Sequence, residues 1–553
     1  MPMETVKIRC ENNGKEILVS KGTSLGEIAS LLSLGNRYPF IAAYVNNRSE
    51  DLNDRVYEPR NVRFIDATHF EGARVYQRTL FFVLYKAVRD LYPEAVLKIQ
   101  HSLGRGFYFV LEGAAAGDDT AARLKKRMRE LVEADLPIVR DIVYRDDAEN
   151  YYAGDSDKLR LINTRRHLYV TVDTMADVHG YLYGTLAPSS GSVPVFDIRP
   201  FYDGFLLCVP RRSDPETIDE PGSIEKMFDV FSRHKEWLKV LDVSNIGLLN
   251  AKIIDGKAGD LIKIGEAMQQ RLFMQLSDTI MGRRDEGLKL ILISGPSSSG
   301  KTTFSMRLNI ELRLFGLKPV VLSMDNYFVD RDKTPLDEKG KHDFEALEAV
   351  DLELFNDNLS RLIAGERVEI PKFDFRDGHR YYDGTYLELS PDSVIIVEGI
   401  HALNPAIAGD IPRNKTFRIY VSALTSISMD NLSRFSTTDN RLLRRIVRDS
   451  RYRNHSALET IRRWGSVRRG EEKNIFPYQE EADYMFNSSL IFEISILKRY
   501  AEPLLMEVPD TEEEYSEASR LIGMLDFFMP IDDKEVPPTS LIREFIGGSS
   551  FKY

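Results

Sequence analysis

From residue 288 to about 500, short aliphatic and β-branched runs alternate with amphipathic stretches. LKLILISG, PVVLSMD, SVIIVEG, FRIYVS and SSLIFEI carry few charges, the pattern of strands covered on both faces of a parallel sheet. The helical stretches between them predict a doubly wound α/β domain over residues 288–508. The pattern ahead of it differs. Residues 1–66 predict a small β-rich module, with VKIRC and KEILV pairing around Asn12-Asn13-Gly14, and IAAYVNN and NVRFID adding strands. TSLGEIASLL is a helix opened by Thr23 or Ser24, with Glu27 near its third position. Residues 70–210 predict an α+β domain. Its helices run through VYQRTLFFVLYKAVRDLY and TAARLKKRMRELVEA, and its strands through GFYFVLEG, HLYVTVD and FLLCVP. Residues 211–287 are a linker (RRSDPETIDEPG) and a helical connector, and residues 509–553 a C-terminal helix and tail.

A length of 553 residues suits three or four domains, and the net charge of −11 speaks against a general nucleic-acid coat or an acidic-lipid binder. Cys10 and Cys208 are too few for a zinc cluster or a disulfide framework, which fits a reducing cytoplasm. No signal-peptide core and no apolar stretch of membrane-spanning length is visible, so a cytoplasmic protein off the membrane is expected.

The sharpest chemical signal is GPSSSGKT at 295–302, which fits G-x-x-x-x-G-K-[ST] between an apolar strand and a helix. Gly295 and Gly300 permit the tight turn that aims successive amides at phosphate oxygens. Gly295, Ser297, Ser298, Ser299, Gly300, Lys301, Thr302 and Thr303 are therefore the expected triphosphate cradle for ATP or GTP. Lys301 is placed to reach the β- and γ-phosphates, and the Thr302 hydroxyl to ligate Mg²⁺. The second strand ends in LSMDNYF, which puts Asp325 at the carboxyl edge of the sheet, where a carboxylate can take the proton of an acceptor hydroxyl. The third ends in IIVEGIHAL, with Glu398 suited to Mg²⁺ or its waters. For both carboxylates the alternative is a loop cap.

The ordered motifs GPSSSGKTT, LSMDNYF, DFEALEAVDL, IPKFDFRDGHR and IIVEGIHALN resemble the uridine kinase branch of the uridine kinase/phosphoribulokinase family over about residues 288–500. The resemblance implies a P-loop kinase that phosphorylates the 5′-hydroxyl of a uridine- or cytidine-like nucleoside. It implies Asp325 as the catalytic base that also holds the sugar, with Phe328 beside it on the substrate. It also implies an acidic ribose contact in DFEALEAVD: Glu345 by register, with Asp343 as the fallback. IPKFDFRDGHR corresponds to the base-recognition strand and turn, which assigns Phe373 and Arg380 to the substrate. Phe373 falls where the family commonly has Tyr, and Gly378 where a base-contacting His is usual, with His379 adjacent.

In NRLLRRIVRDSRYRNHS, Arg441, Arg444, Arg445, Arg448 and Arg453 recur at helical spacing. The resemblance implies a lid over ATP here, with Arg448 or Arg453 neutralising the transferring phosphoryl and Arg445 helping to fix the substrate. A solvated basic helix or an RNA patch is the alternative.

Residues 4–66 resemble the TGS module, a β-grasp unit at the front of threonyl-tRNA synthetases, and residues 70–210 the editing-type domain that follows it. RVYQRTLFFVLYKAVRDLYPEAVLKIQHSLGRGFYF and LAPSSGSVPVFDI carry the likeness. The His-x-x-x-His pair of active editing domains falls on Tyr76 and Leu80, and the Cys-x-x-x-His pair near Leu182 and Leu186. None of these binds metal or activates water, so editing is expected to be lost, with His101, His167 and His179 structural. The front half is then open to RNA or tRNA, a small regulator, or assembly into a homo-oligomer. For the whole chain, two further readings stay open: a kinase of a phosphorylated sugar or cofactor precursor served by Arg376, Arg380 and His379, or a nucleotide-dependent RNA-binding regulator.

Overall fold

The computed structural model describes residues 4–165, 167–336, 340, 342–374 and 376–552, so Phe375 of the base-recognition stretch lies outside the described residues. The chain divides into two compact units.

The first unit comprises residues 1–255, 426–435 and 505–529. It opens with a five-stranded sheet, ordered Glu16–Ser20, Thr5–Cys10, Arg60–Asp66, Phe40–Val45, Arg48–Glu50. Its helix Leu25–Leu31 starts with a capping box in which Ser24 accepts from the Glu27 amide and Glu27 from the Ser24 amide. Ile8, Cys10, Ile28 and Val62 fill the core between sheet and helix.

A four-stranded antiparallel sheet follows, ordered Asp197–Phe201, Gly204–Cys208, Gly106–Glu112, Val96–Leu103. It packs with the helices Phe70–Leu91 and Asp118–Glu133 around one apolar core. The four positions that correspond to an editing centre all lie in that core: Tyr76 is 4%, Leu80 0%, Leu182 2% and Leu186 1% exposed. His101 is buried and stacked on Phe231, His179 lies 3.1 Å from the Thr174 hydroxyl, and His167 contacts Asp526 at 2.9 Å. Residues 426–435 and 505–529 are knitted into this unit. The Ile99 amide donates to the Asn431 carbonyl at 2.9 Å, Leu432 joins the core, and Glu517 pairs with Arg74 at 2.6 Å.

The second unit comprises residues 256–425, 436–504 and 530–553. Its sheet has five parallel strands, ordered Lys318–Ser323, Ser393–Glu398, Leu290–Ser294, Thr416–Ser422, Tyr484–Asn487. The first strand in sequence therefore lies at the centre, with the third on one side and the fourth on the other. A crevice at the carboxyl ends of such strands is where doubly wound sheets bind ligands. Phe273 from the helix Ala258–Met281 packs with Ile291, Phe304, Phe417, Phe486 and Leu541 beneath the sheet.

One expected strand is corrected. SSLIFEI is not the fifth strand, which is Tyr484–Asn487; Glu493 instead begins the helix Glu493–Met506. The Glu493 carboxylate accepts from the Leu490 amide at 3.2 Å and the Ser489 hydroxyl at 2.9 Å, which turns this apolar run into a capped helix start. Among the described residues no helix is long and apolar enough to cross a membrane.

Candidate active site

The central strand of the second unit ends at Ser294, and the chain turns through residues 295–300 into the helix Lys301–Leu314. Gly295 is forced by space, since a Cβ there would stand 2.0 Å from the Val421 carbonyl oxygen. Gly300, at φ 86°, sits in the left-handed region where glycine carries no steric penalty. Ser298 also takes a left-handed φ of 59°, and among the described residues its buried hydroxyl and that of Ser299 have no hydrogen-bond partner. The Lys301 ammonium folds back to donate to the carbonyls of Gly295 at 3.0 Å and Pro296 at 3.3 Å.

The arginine helix Thr437–Arg453 presses one face on this loop. Arg441 donates to the Ser297 carbonyl at 2.9 Å, and Arg445 to the Ser297 hydroxyl at 2.8 Å. Arg441 and Arg444 are 1% and 0% exposed, ion-paired with Glu471 and Glu493, so a solvated basic helix is ruled out. Farther along, Asp449 gathers three arginines: Arg448 at 2.8 Å, Arg445 at 3.2 Å and Arg453 at 3.7 Å. Burial opposes its ionisation, yet these guanidiniums hold the Asp449 carboxyl below its ordinary value. Arg453, crowded by Arg448 and partly desolvated, is pushed down to about 10.

Asp325 lies in the turn that ends the second strand, and Glu398 is the last residue of the third. Burial raises the Asp325 carboxyl above its ordinary value against the pull of Lys301, Arg453 and Arg448. Burial likewise raises Glu398, with Lys301 opposing and Asp325 adding to the rise. Glu345, half-buried on the segment after the second strand, is pushed up to about 7 by burial, with Arg445 opposing and Glu471 adding. Lys301 and Asp325 thus lie within electrostatic reach of Glu345 and of Glu398, Asp325 also of Arg448 and Arg453, and Glu345 of Arg445. Asp343 instead accepts from the Glu345 amide at 3.1 Å and so shapes its own turn.

The stretch IPKFDFRDGHR contributes a hairpin of Lys372–Asp374 with His379–Tyr381. The rings of Phe373 and Phe328 lie 5.7 Å apart, which ties this hairpin to the end of the second strand. Gly378 has φ 78°, and a Cβ there would meet Arg331 Nε at 2.7 Å, so no side chain can occupy the place of the family's histidine. The Arg380 guanidinium pairs with Asp351 at 2.8 Å, and His379 lies 3.5 Å from Asp330.

The family model described as the phosphoribulokinase/uridine kinase family matches residues 290–494. A uridine kinase of Staphylococcus aureus is 32% identical over 195 residues, which are 35% of this chain and 84% of that one. The chain belongs to the phosphoribulokinase/uridine kinase family. As a member, it carries a P-loop kinase domain. A solved structure described as a possible uridine kinase from Bacillus stearothermophilus is also similar, at 21% identity and a TM-score of 0.27, covering 39% of this chain and 99% of its own.

The front half is similar to threonine–tRNA ligases. That of Rubrobacter xylanophilus is 27% identical over 198 residues, or 36% of this chain and 30% of the ligase. That of Syntrophotalea carbinolica is 32% identical over 184 residues, or 32% and 29%. The chain therefore spans about 30% of the length of these relatives.

Two site residues escaped the reading of the sequence. Glu471 sits in the charge run RRGEEKN, yet is fully buried and accepts from the Ser297 amide at 3.0 Å. Glu544 comes from the tail and accepts from the Thr303 amide at 3.1 Å and its hydroxyl at 2.8 Å. Charge patterning marks neither, because both partners are distant in sequence.

Proposed function

We propose that this kinase transfers the γ-phosphoryl group of ATP or GTP to the 5′-hydroxyl of a uridine- or cytidine-like nucleoside in the cytoplasm. The observation that carries the proposal is the half-buried Asp325 in the turn that ends the second strand, within electrostatic reach of Lys301, Arg448 and Arg453. In this reading Asp325 accepts the proton of the attacking hydroxyl and orients it in line. Lys301 leaves the loop carbonyls for the phosphates, and Arg453, with Arg448, stabilises the charge that develops on the transferring group. Arg445 and Glu345 hold the sugar, and the Phe328 and Phe373 rings flank the base.

The residues fit Mg²⁺. The Thr302 hydroxyl and the Glu398 carboxylate are hard oxygen donors, and the burial and neighbouring Asp325 carboxylate that raise Glu398 are what a divalent cation relieves. Bound there, Mg²⁺ would supply charge neutralisation to the donor's phosphates.

A phosphorylated acceptor is disfavoured. Two of the three cations that would serve it are already engaged, Arg380 by Asp351 and His379 beside Asp330, which favours an uncharged nucleoside. The front half is proposed to have lost editing hydrolysis, since Tyr76, Leu80, Leu182 and Leu186 are core residues, and to serve RNA recognition, regulation or assembly into a homo-oligomer. A phosphoryl-transfer screen of purified protein against nucleosides and sugar phosphates tests the acceptor. Turnover with uridine or cytidine supports the proposal, and turnover with sugar phosphates alone defeats it.

A further inference from the structure

The first turn of a helix offers amides that have no intrahelical partner. In the helix Lys301–Leu314 these belong to Lys301, Thr302 and Thr303, because the Phe304 amide already donates to the Gly300 carbonyl at 3.0 Å. Both Thr303 donors, amide and hydroxyl, are taken by one oxygen of Glu544, at 3.1 and 2.8 Å. Together with Glu471 on the Ser297 amide, a carboxylate sits at each end of the phosphate loop.

The two carboxylates differ in one decisive respect. Glu471 is fully buried and neutralised by Arg441 and by Arg468, the latter at 3.0 Å, so it is a fixed brace. Among the described residues Glu544 makes no salt bridge, and it lies within electrostatic reach of Glu398. Only two hydrogen bonds and the positive end of the helix hold its charge. A nucleotide phosphate brought to this turn needs the same donors and is repelled by the carboxylate on them.

The backbone that carries Glu544 is anchored. Leu541, Ile542 and Phe545 are 0% and Ile546 1% exposed, and the Arg444 guanidinium stands 4.9 Å from the Phe545 ring. The segment stays and holds Glu544, itself 9% exposed, with its carboxylate on the turn, which makes that carboxylate an intramolecular ligand at high effective concentration. Elsewhere in the loop Lys301 donates to the Gly295 and Pro296 carbonyls, and among the described residues the buried Ser298 and Ser299 hydroxyls have no hydrogen-bond partner.

We propose that Glu544 is a tethered competitor for the donor phosphate site, whose carboxylate must leave Thr303 when nucleotide binds. The C-terminal segment thereby sets how tightly the kinase holds its nucleotide. This inference rests on reading the loop as the donor site.

The test is calorimetric titration of ADP into the full-length protein, wild type against Glu544→Gln and the shorter but still charged Glu544→Asp. Both variants are expected to bind ADP about tenfold more tightly, with the KM for ATP falling in parallel. Wild type and variants that bind ADP alike overturn the inference and leave the donor site standing. Variants that bind more weakly and melt lower make Glu544 a second brace and also overturn it. A wild type and variants that all fail to bind ADP bring down the donor site and the inference together.

Discussion

Arg444 and Glu493 form an ion pair at 2.5 Å with neither side chain exposed, directly beside the phosphate loop. Arg444 also donates to the Ser488 carbonyl at 2.9 Å, and Glu493 accepts from Asn440. The pair therefore fastens the arginine helix to the start of the helix Glu493–Met506, and its role is internal. Removing one partner strands a buried charge, so Arg444→Met is expected to lower stability by about 3–5 kcal/mol, read from urea unfolding. Arg453, with 47% of its side chain exposed, should behave oppositely. Arg453→Met is expected to keep near-normal stability and lose about a hundredfold or more in kcat. Equal destabilisation by the two substitutions would refute this division of labour.

Asp325 carries the proton-transfer step of the proposed reaction. Asp325→Asn keeps the shape of the turn and removes the base, so kcat is expected to fall by about 10²–10⁴. ADP affinity, measured by calorimetry, should change little, because the phosphate cradle lies on residues 295–303. Near-normal turnover by this variant would remove Asp325 from the mechanism.

Four of the five strands of the kinase sheet, the phosphate loop and the strand-end carboxylates were legible because each depends on a local pattern. Gly295 and Gly300 sit where the turn demands them, and Asp325 and Glu398 follow directly from where apolar runs stop. The fates of Arg441 and Arg444 were not legible. Helical spacing shows that arginines share a face, but their partners lie 30 and 49 residues downstream. SSLIFEI misled for a related reason: a short apolar run is compatible with a strand or a buried helix start, and the Glu493 cap decides. The stretch after residue 504 divides at 529/530 between the two units, a matter of long-range packing that composition does not encode.

In the front half, restoring the residue types of an editing centre should damage the fold. Tyr76 bridges to Val195, its hydroxyl donating to the carbonyl at 3.0 Å and accepting from the amide at 2.7 Å, and Leu80 is fully buried in the core. Leu80→His places an imidazole among apolar neighbours with nothing to satisfy it, at a cost of about 2–5 kcal/mol. A Tyr76→His, Leu80→His double variant is expected to melt lower and to take up no zinc in equilibrium dialysis. Zinc uptake with retained stability would show a latent metal site instead.

Glu345 is held by the helix Ala457–Asn474, where a Cβ at Gly470 would stand 2.3 Å from Glu345 Cβ and Asn474 donates to the Glu345 carbonyl at 2.8 Å. Backbone on one side and a packed Cβ on the other leave no easy escape, so Gly470→Ala must push the Glu345 segment outward, at about 1–3 kcal/mol. If Glu345 holds the acceptor sugar, the acceptor KM should rise about tenfold while ADP affinity stays put. Its protonation gives a second check. The carboxyl is raised from 4.5 to about 7, so between those values the folded chain binds more protons than the unfolded one. The contribution of Glu345 to stability therefore falls as pH rises through that window. Glu345→Gln removes the loss, and its stability relative to wild type should grow between about pH 5 and about pH 8. Over the same window wild type gains the ionised acceptor that a sugar hydroxyl needs, so its acceptor KM should fall with rising pH, and that of the variant should not. A wild-type acceptor KM that is flat across this range would take Glu345 out of the sugar site.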